Sequence, residues 1–182
     1  KYYRGIQNDD GSFAEGDFAP AITALVVASA LKTGKVLPDD PMVAKALGFL
    51  ENFVQEDGSI APKGSPSRNY PTAIAILAFS EANKAGKYDK LLASAAEFLK
   101  KDQWDEGEGI DPKNPKYGGL GYGGPSKSRP DLSNTAFFLE SLEAAGVPKT
   151  DPAYQRAVQF ISRCQNLSGE GANDLPQAEA VN

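Results

Sequence analysis

The residues that could do chemistry in this chain are few in kind. Among its 182 residues there is no histidine, and Cys164 is the only cysteine. The sequence therefore excludes a histidine-based triad, histidine general bases and metal ligands, an internal disulfide and a cysteine zinc cluster. Carboxylates, hydroxyls, phenols, lysine, arginine and backbone groups remain, and no cofactor is predicted.

The polar run Asp131-Leu132-Ser133-Asn134 precedes an apolar segment that opens with Thr135-Ala136. Asp, Ser and Asn are favoured N-cap residues, so one interpretation of the run is a helix start. A second interpretation is a ligand-binding polar patch, made by Asp131, Ser133 and Asn134, at the mouth of a cavity. Catalysis by Asp131 is the third.

The longest connection is a glycine-rich stretch at 103–130, which contains Trp104, Tyr117 and Tyr122. Connections longer than about 12–15 residues are uncommon unless they are functional or disordered. Two interpretations stay open: an insertion packed over a groove between helices, or a lid whose Tyr117 and Tyr122 contact a ligand. Tyr70, near the start of another apolar segment, completes the candidate ligand-binding set. Acidic residues near Gly107 do not match the EF-hand spacing, so no metal site is predicted.

Helices must position these residues, because no stretch shows the alternation of a strand. Asp40-Pro41 and Asp151-Pro152 are typical of helix starts, and Gly34, Gly86 and Gly146 of helix ends. The fold class is therefore predicted to be all-α. Apolar periodicity places the helices near 19–32, 41–54, 71–85, 89–102, 133–145 and 152–164.

The helices are of two kinds. Those near 19–32 and 71–85 are apolar nearly all round, which is typical of buried elements, whereas those near 41–54, 89–102 and 152–164 are amphipathic. An inner row of apolar helices wrapped by an outer row of amphipathic ones satisfies both patterns. The prediction is a helical barrel or a solenoid of helical hairpins.

A motif recurs along the chain. Asp10-Gly11-Ser12-Phe13 returns 47 positions later as Asp57-Gly58-Ser59-Ile60, and each copy follows a glutamine, Gln7 or Gln55. A degenerate third copy runs from Phe160 to Asn166. We interpret a chain that begins inside such a motif as a piece of a longer protein.

These motifs resemble the repeats of the squalene–hopene cyclase and prenyltransferase–squalene oxidase superfamily, whose fold is an α/α-toroid. The resemblance covers residues 1–166. It implies about half a ring, roughly six helices arranged as hairpins, with residues 103–130 as an insertion. Residues 167–182 are expected to form a flexible tail.

The resemblance also bears on chemistry. Class II cyclases of this superfamily protonate an alkene with the central Asp of an Asp-x-Asp-Asp-Thr-Ala motif, and the similar stretch here keeps Asp131, Thr135 and Ala136. Ser133 stands in the place of the proton donor, and Asn134 in the next. Because a serine hydroxyl cannot protonate an isolated alkene, class II chemistry is not expected. The zinc prenyltransferases use Asp, Cys and His ligands, and this chain has one cysteine and no histidine, so that activity is not expected.

The expected function is therefore a terpene-cyclase-like binding or scaffold domain with an apolar or isoprenoid-like ligand. One alternative is an enzyme on an isoprenoid or polysaccharide whose catalytic groups lie in the other half-ring. Another is an interaction module that pairs with a second subunit. The net charge of −5 argues against nucleic acid as a partner. No apolar run is long enough for a membrane span, and a soluble chain without a targeting signal is expected.

Overall fold

The computed structural model describes residues 2–123 and 128–165, and these fold into helices joined by turns. No strand occurs among the described residues, apart from one isolated bridge between Val54 and Ile60, so the all-α prediction is confirmed. The tail at 167–182, and residues 124–127 of the insertion, lie outside the described residues. The six α-helices are α1 (Ala19–Lys32), α2 (Pro41–Glu51), α3 (Asn69–Glu81), α4 (Asp89–Lys101), α5 (Leu132–Ala144) and α6 (Pro152–Gln165).

Most helix ends lie within two residues of their expected positions, but α2 and α3 end earlier. After Glu51 the chain tightens into turns, since the backbone N–H groups of Asn52 and Phe53 donate to carbonyls three residues back. After Glu81 a short 3-10 turn, Lys84–Gly86, contains Ala85 at φ 53°, which breaks the helical path. No helix in the described part of the chain has the length and apolar character needed to cross a membrane.

Most capping residues act as their types predict. Asp40 accepts a hydrogen bond from the Met42 backbone N–H at 3.0 Å, and Asp151 accepts one from Ala153 at 2.8 Å. Gly34 and Gly146 follow α1 and α5 with φ of 67° and 78°. The expectation for Gly86 was wrong, because α3 ends at Glu81 and Gly86 (φ 76°) closes the 3-10 turn Lys84–Gly86. Side-chain oxygens therefore satisfy helix N-termini, and glycines take the left-handed conformation beyond the C-termini.

The helices form two rows. In the first row α3 packs between α1 and α5, and in the second row α2, α4 and α6 each pack against the first-row helix that precedes them. Burial follows this arrangement, since Ile74, Ile76 and Phe79 of α3 are fully buried. In α4 only one side is buried, through residues such as Leu92 and Leu99. The division into apolar and amphipathic helices thus matches their places in the two rows.

A glycine turn joins the two rows at three places. The glycines are Gly11, Gly58 and Gly118, with φ of 97°, 90° and 85°. A Cβ built on each would lie 2.4, 2.4 and 2.0 Å from a backbone carbonyl oxygen of α2, α4 and α6 respectively. No side chain fits there, so each turn packs directly against the backbone of a second-row helix.

Two residues after each glycine, the chain is bonded to the first row. The backbone N–H of Phe13, Ile60 and Leu120 donates to Thr23, Thr72 and Thr135 at 3.1, 2.9 and 2.9 Å. All three threonines are fully buried. Each turn is therefore bonded to a helix of one row while its glycine packs on a helix of the other.

Aspartates stiffen the first two turns. Asp10 accepts bonds from the Ser12 backbone N–H and hydroxyl at 2.9 and 2.7 Å, and Asp57 accepts the same pair from Ser59 at 3.0 and 2.7 Å. The backbone bond from Ser12, with the hydroxyl bond second, lowers the pKa of Asp10 below its ordinary value. Because these bonds favour the ionised carboxylate, they hold the turn best when Asp10 is charged.

Substitution of Gly118 by alanine tests whether the turn must be glycine. Gly118→Ala places a Cβ against the Arg156 carbonyl and strains a positive φ, so we expect it to lower the free energy of unfolding by more than about 2 kcal/mol. The matched control is Gly48→Ala in α2, where a Cβ meets nothing within 4 Å. Gly48→Ala is expected to raise the free energy of unfolding by about 0.5–1 kcal/mol, because alanine has a higher helix propensity than glycine. Urea unfolding followed by circular dichroism measures both, and equal effects would contradict the assignment.

Candidate functional site

Asp131 is the N-cap of α5. One carboxylate oxygen accepts from the Asn134 backbone N–H at 2.9 Å, and the other accepts from the Asn134 side-chain amide at 2.8 Å. The helix-start interpretation of this run is therefore confirmed. Both oxygens accept hydrogen bonds inside the cap, so the carboxylate holds the start of α5.

The neighbours of Asp131 divide between surface and interior. Ser133 is exposed in the first turn of α5, whereas Asn134 is only 2% exposed. Thr135 is buried and binds both Asp131 and the glycine turn at Leu120, through the hydrogen bonds Thr135 Oγ1 to Asp131 O at 2.7 Å and Leu120 N to Thr135 Oγ1 at 2.9 Å. Of the three residues in the predicted polar patch, only Ser133 is exposed; Asp131 is half-buried and Asn134 is buried.

Tyr70 and Tyr122 lie together although 52 positions separate them in the chain. Their ring centroids are 5.8 Å apart. Tyr70 belongs to the first turn of α3, and Tyr122 precedes α5. Burial, and then the neighbouring Tyr122, raise the pKa of Tyr70 above its ordinary value, so the Tyr70 phenol stays neutral near pH 7.

Two further aromatic rings complete what we call the aromatic cluster: Phe18, Tyr70, Tyr122 and Phe137. Phe18 lies 6.4 Å from Tyr70 and 6.5 Å from Tyr122, and Phe137 lies 5.5 Å from Tyr70. Most of these pairs meet edge to face, a favourable geometry for aromatic rings. Phe18 and Tyr122 remain 44% and 41% exposed, so the cluster presents apolar surface to solvent.

Backbone contacts hold Tyr122 at the start of α3. The Asn69 backbone N–H donates to the Tyr122 carbonyl at 2.9 Å, and the Asn69 side-chain amide donates to the Gly121 carbonyl at 3.1 Å. Gly121 is required there, since a Cβ would lie 2.4 Å from the Arg129 carbonyl oxygen. These hydrogen bonds place the Tyr122 ring of the insertion in the aromatic cluster.

The structure does not bring Tyr117 to this cluster. Its ring is buried in the insertion at 6% exposure, and its hydroxyl donates to Glu106 at 2.8 Å. Burial first, and then the Glu106 bond, raise the pKa of Tyr117. Trp104 is also buried, with the Lys116 ammonium 4.8 Å from its ring centroid. The part of the insertion around Tyr117 and Trp104 is therefore packed in the protein interior. Of the two tyrosines predicted to contact a ligand from the insertion, only Tyr122 is exposed.

The same first-row helices form a second feature at their C-terminal ends. A cavity of about 360 Å³ opens between them, which we call the carboxylate cavity. It combines three glutamates with one lysine and an apolar floor. Its lining residues are Lys32 of α1, Leu77 and Glu81 of α3, and Glu140, Glu143 and Ala144 of α5. Among the described residues no group of three acidic, cysteine or histidine side chains is placed to hold a metal ion.

The sequence analysis did not identify Phe18 and Phe137 of the aromatic cluster, the residues of the carboxylate cavity, or Gln103. Gln103 is fully buried and donates to the carbonyls of Gly118 and Ala153, both at 2.9 Å. Gln7 makes the equivalent bonds to Gly11 and Met42 at 3.0 and 2.9 Å.

The third glycine turn therefore follows Gln103. The degenerate match at Phe160–Asn166 extends beyond the described residues and stays a prediction. The 48-position spacing of Gln7, Gln55 and Gln103 was the available signal. This spacing is hard to recognise because the insertion lengthens the third copy of the motif. Gln103 is 15 positions from Gly118, whereas Gln7 is four positions from Gly11.

Comparisons of the chain with known protein families, with curated proteins and with solved structures found no match.

The cap assignment predicts unequal effects at Asp131 and Ser133. Asp131→Ala removes the acceptor from the N-terminus of α5 and should cost about 1 kcal/mol of unfolding free energy. Ser133→Ala, at an exposed position, should change it by less than about 0.5 kcal/mol. Urea denaturation measures both variants. A larger loss for Ser133→Ala than for Asp131→Ala would refute the cap assignment.

Proposed function

We propose that this chain is a binding domain of the terpene-cyclase-like toroid type, and that the aromatic cluster is where it binds an apolar, isoprenoid-like ligand. The observation that carries the proposal is the partly exposed cluster of four rings at the N-terminal ends of three neighbouring helices. Clustered aromatic surface that remains open to solvent is typical of ligand or partner sites.

Contact energetics favour an apolar ligand at this cluster. Transfer of apolar surface from water contributes about 25 cal/mol per Å², and aromatic side chains offer large areas at low conformational cost. The rings meet edge to face and tilted rather than in one plane. Such an arrangement suits the irregular shape of a methyl-branched chain.

The polar groups near the cluster support binding rather than proton-initiated cyclisation. Ser133 occupies the place that the superfamily resemblance gives to the proton donor, and both Asp131 oxygens accept hydrogen bonds within the helix cap. A class II mechanism needs a carboxylic acid that is protonated and free to donate. If the domain instead belongs to an enzyme that acts on an isoprenoid or polysaccharide, the catalytic acid would come from another part of a longer chain.

Binding of farnesol, an uncharged isoprenoid alcohol, tests the proposal. We expect saturable binding by isothermal titration calorimetry, at concentrations where farnesol is monomeric. Phe18→Ala and Tyr122→Ala each remove a partly exposed ring, so each should weaken binding at least about fivefold while leaving the fold intact. Tyr2→Ala, at an exposed ring outside the cluster, is the control and should bind as the unaltered chain does. Absent binding, or equal loss in the control, would refute the proposal.

A second candidate function is subunit association through the ends of the first row. Within the described chain α1 and α5 each have a row neighbour on one side only, which is α3. Ile22 of α1 is 40% exposed and Leu132 of α5 is 50% exposed. Unpaired helix faces with apolar side chains are typical of surfaces that another subunit covers.

Native mass spectrometry of the purified chain tests this second candidate. If association covers these ends, a dimer should be present at micromolar concentration, and Ile22→Lys should shift it toward the 19.3 kDa monomer. The control, Leu37→Lys, changes a residue that is 54% exposed in the α1–α2 connection and should leave the dimer unaffected. A monomer at all concentrations would contradict the candidate.

A further inference from the structure

We propose that a groove beside α1 is the docking site for one further helix of the second row, an amphipathic α-helix that runs alongside α2. The groove is a cavity of about 310 Å³ between α1, the start of α2 and the first residues of the chain, and we call it the α1 groove. Tyr3, Ala30, Val36 and Met42 give it apolar walls. It is separate from the aromatic cluster, so this inference does not rest on the proposed function.

The turn threonines allow the first-row helices to be compared position by position. Ser29, Ala30 and Thr33 line the groove six, seven and ten positions after Thr23, and Ser29 and Thr33 are exposed. The equivalent positions of α3, counted from Thr72, are at most 3% exposed, and they hold Ala78, Phe79 and Ala82. In α5 the first two of these positions are fully buried as well, and they hold Ser141 and Leu142. A surface that is covered in α3 and α5 is therefore open in α1.

The element that lies beside this surface in α3 and α5 is the preceding second-row helix. Each of α2 and α4 contacts not only the first-row helix before it but also the one after it, which is α3 or α5. Ala82, for example, lines one cavity together with Leu47 and Gly48 of α2. Among the described residues no α-helix precedes α1, and only the 3-10 turn Tyr3–Gly5 lies there. The repeated packing thus identifies the occupant of the groove as a second-row helix, with one apolar and one polar side.

A contact made by the end of α4 recurs just before the first glycine turn. Lys100 of α4 donates to Asp151, which caps α6, at 2.9 Å. Arg4 donates in the same way to Asp40, which caps α2, at 2.7 Å. The two cations are equivalent, because each lies three positions before the glutamine that bonds to its glycine turn. The segment at Arg4 therefore takes the place of a second-row helix end, and the groove lies where the body of such a helix would pack.

The exposure of Tyr2 agrees with this assignment. Tyr2 lies five positions before Gln7, as Phe98 of α4 lies five positions before Gln103. Phe98 is only 4% exposed, whereas Tyr2 is 73% exposed. On a helix that continues through Tyr2, this ring would share one side with residues three and four positions earlier. An aromatic ring thus stands at the correct position for the apolar side of a docked helix.

An extension of the whole chain by one such helix tests the proposal. Residues 150–158, which include the start of α6, are added as a second copy directly before Lys1. This junction keeps the register, because Tyr2 then stands where Phe160 stands in α6. We expect the midpoint of thermal unfolding to rise by at least about 3 °C, since a docked helix buries apolar surface. The helical signal in circular dichroism should increase as well.

Two neighbouring variants assign this rise to the groove. Val36→Glu places a charge on the apolar wall of the groove, so the extension should then raise the midpoint by less than about 1 °C. Leu37→Glu is the matched control, because Leu37 is 54% exposed and lies outside the groove. In that variant the full rise should remain. Each extended variant is compared with the same variant without the extension, so direct effects of the substitution on stability cancel.

An extension of the same composition in scrambled order separates docking from added length, and it should leave the midpoint unchanged. The proposal is overturned if the α6 extension gives no rise, if the scrambled extension gives an equal rise, or if the rise survives Val36→Glu. None of these results bears on farnesol binding at the aromatic cluster, so the proposed function is tested separately.

Discussion

The arrangement of the two helix rows depends on one close contact between backbones. In each glycine turn the chain comes so near a second-row helix that a Cβ would overlap a carbonyl oxygen. Two residues later its N–H is bonded to a buried threonine of the first row. Because one short segment is fixed at both sides, the distance and orientation between a first-row helix and a second-row helix are set together.

This constraint also determines where the candidate site forms. The glycine turns lead into the first-row helices, so they fix the N-terminal ends of these helices side by side and in parallel. Side chains at the start of α3, just before α1 and in the insertion then meet, and these are aromatic. The parallel direction places all three C-terminal ends together as well, where glutamates dominate. The connectivity therefore gives the first row one aromatic end and one acidic end.

The polar residues that first suggested chemistry serve mainly to hold this framework. Asp131 caps α5, Thr135 joins the cap to the third glycine turn, and Tyr117 is packed inside the insertion. A carboxylate whose two oxygens already accept bonds is poorly placed to transfer a proton. What the framework leaves exposed to solvent includes part of the aromatic cluster.

The sequence by itself determined the helices, because capping aspartates, C-terminal glycines and apolar periodicity act locally. It also determined which helices are buried, since α3 is apolar all round and α4 is not. Tyr70 and Tyr122 could be named as candidates from their places in the chain. Their proximity, and the addition of Phe18 and Phe137, depended on tertiary contacts such as the bond from Asn69 to Tyr122. Only the tertiary structure showed Gln103 as the partner of the third turn and gathered Glu81 with Glu140, because an insertion of variable length and contacts between distant helices leave no fixed spacing in the sequence.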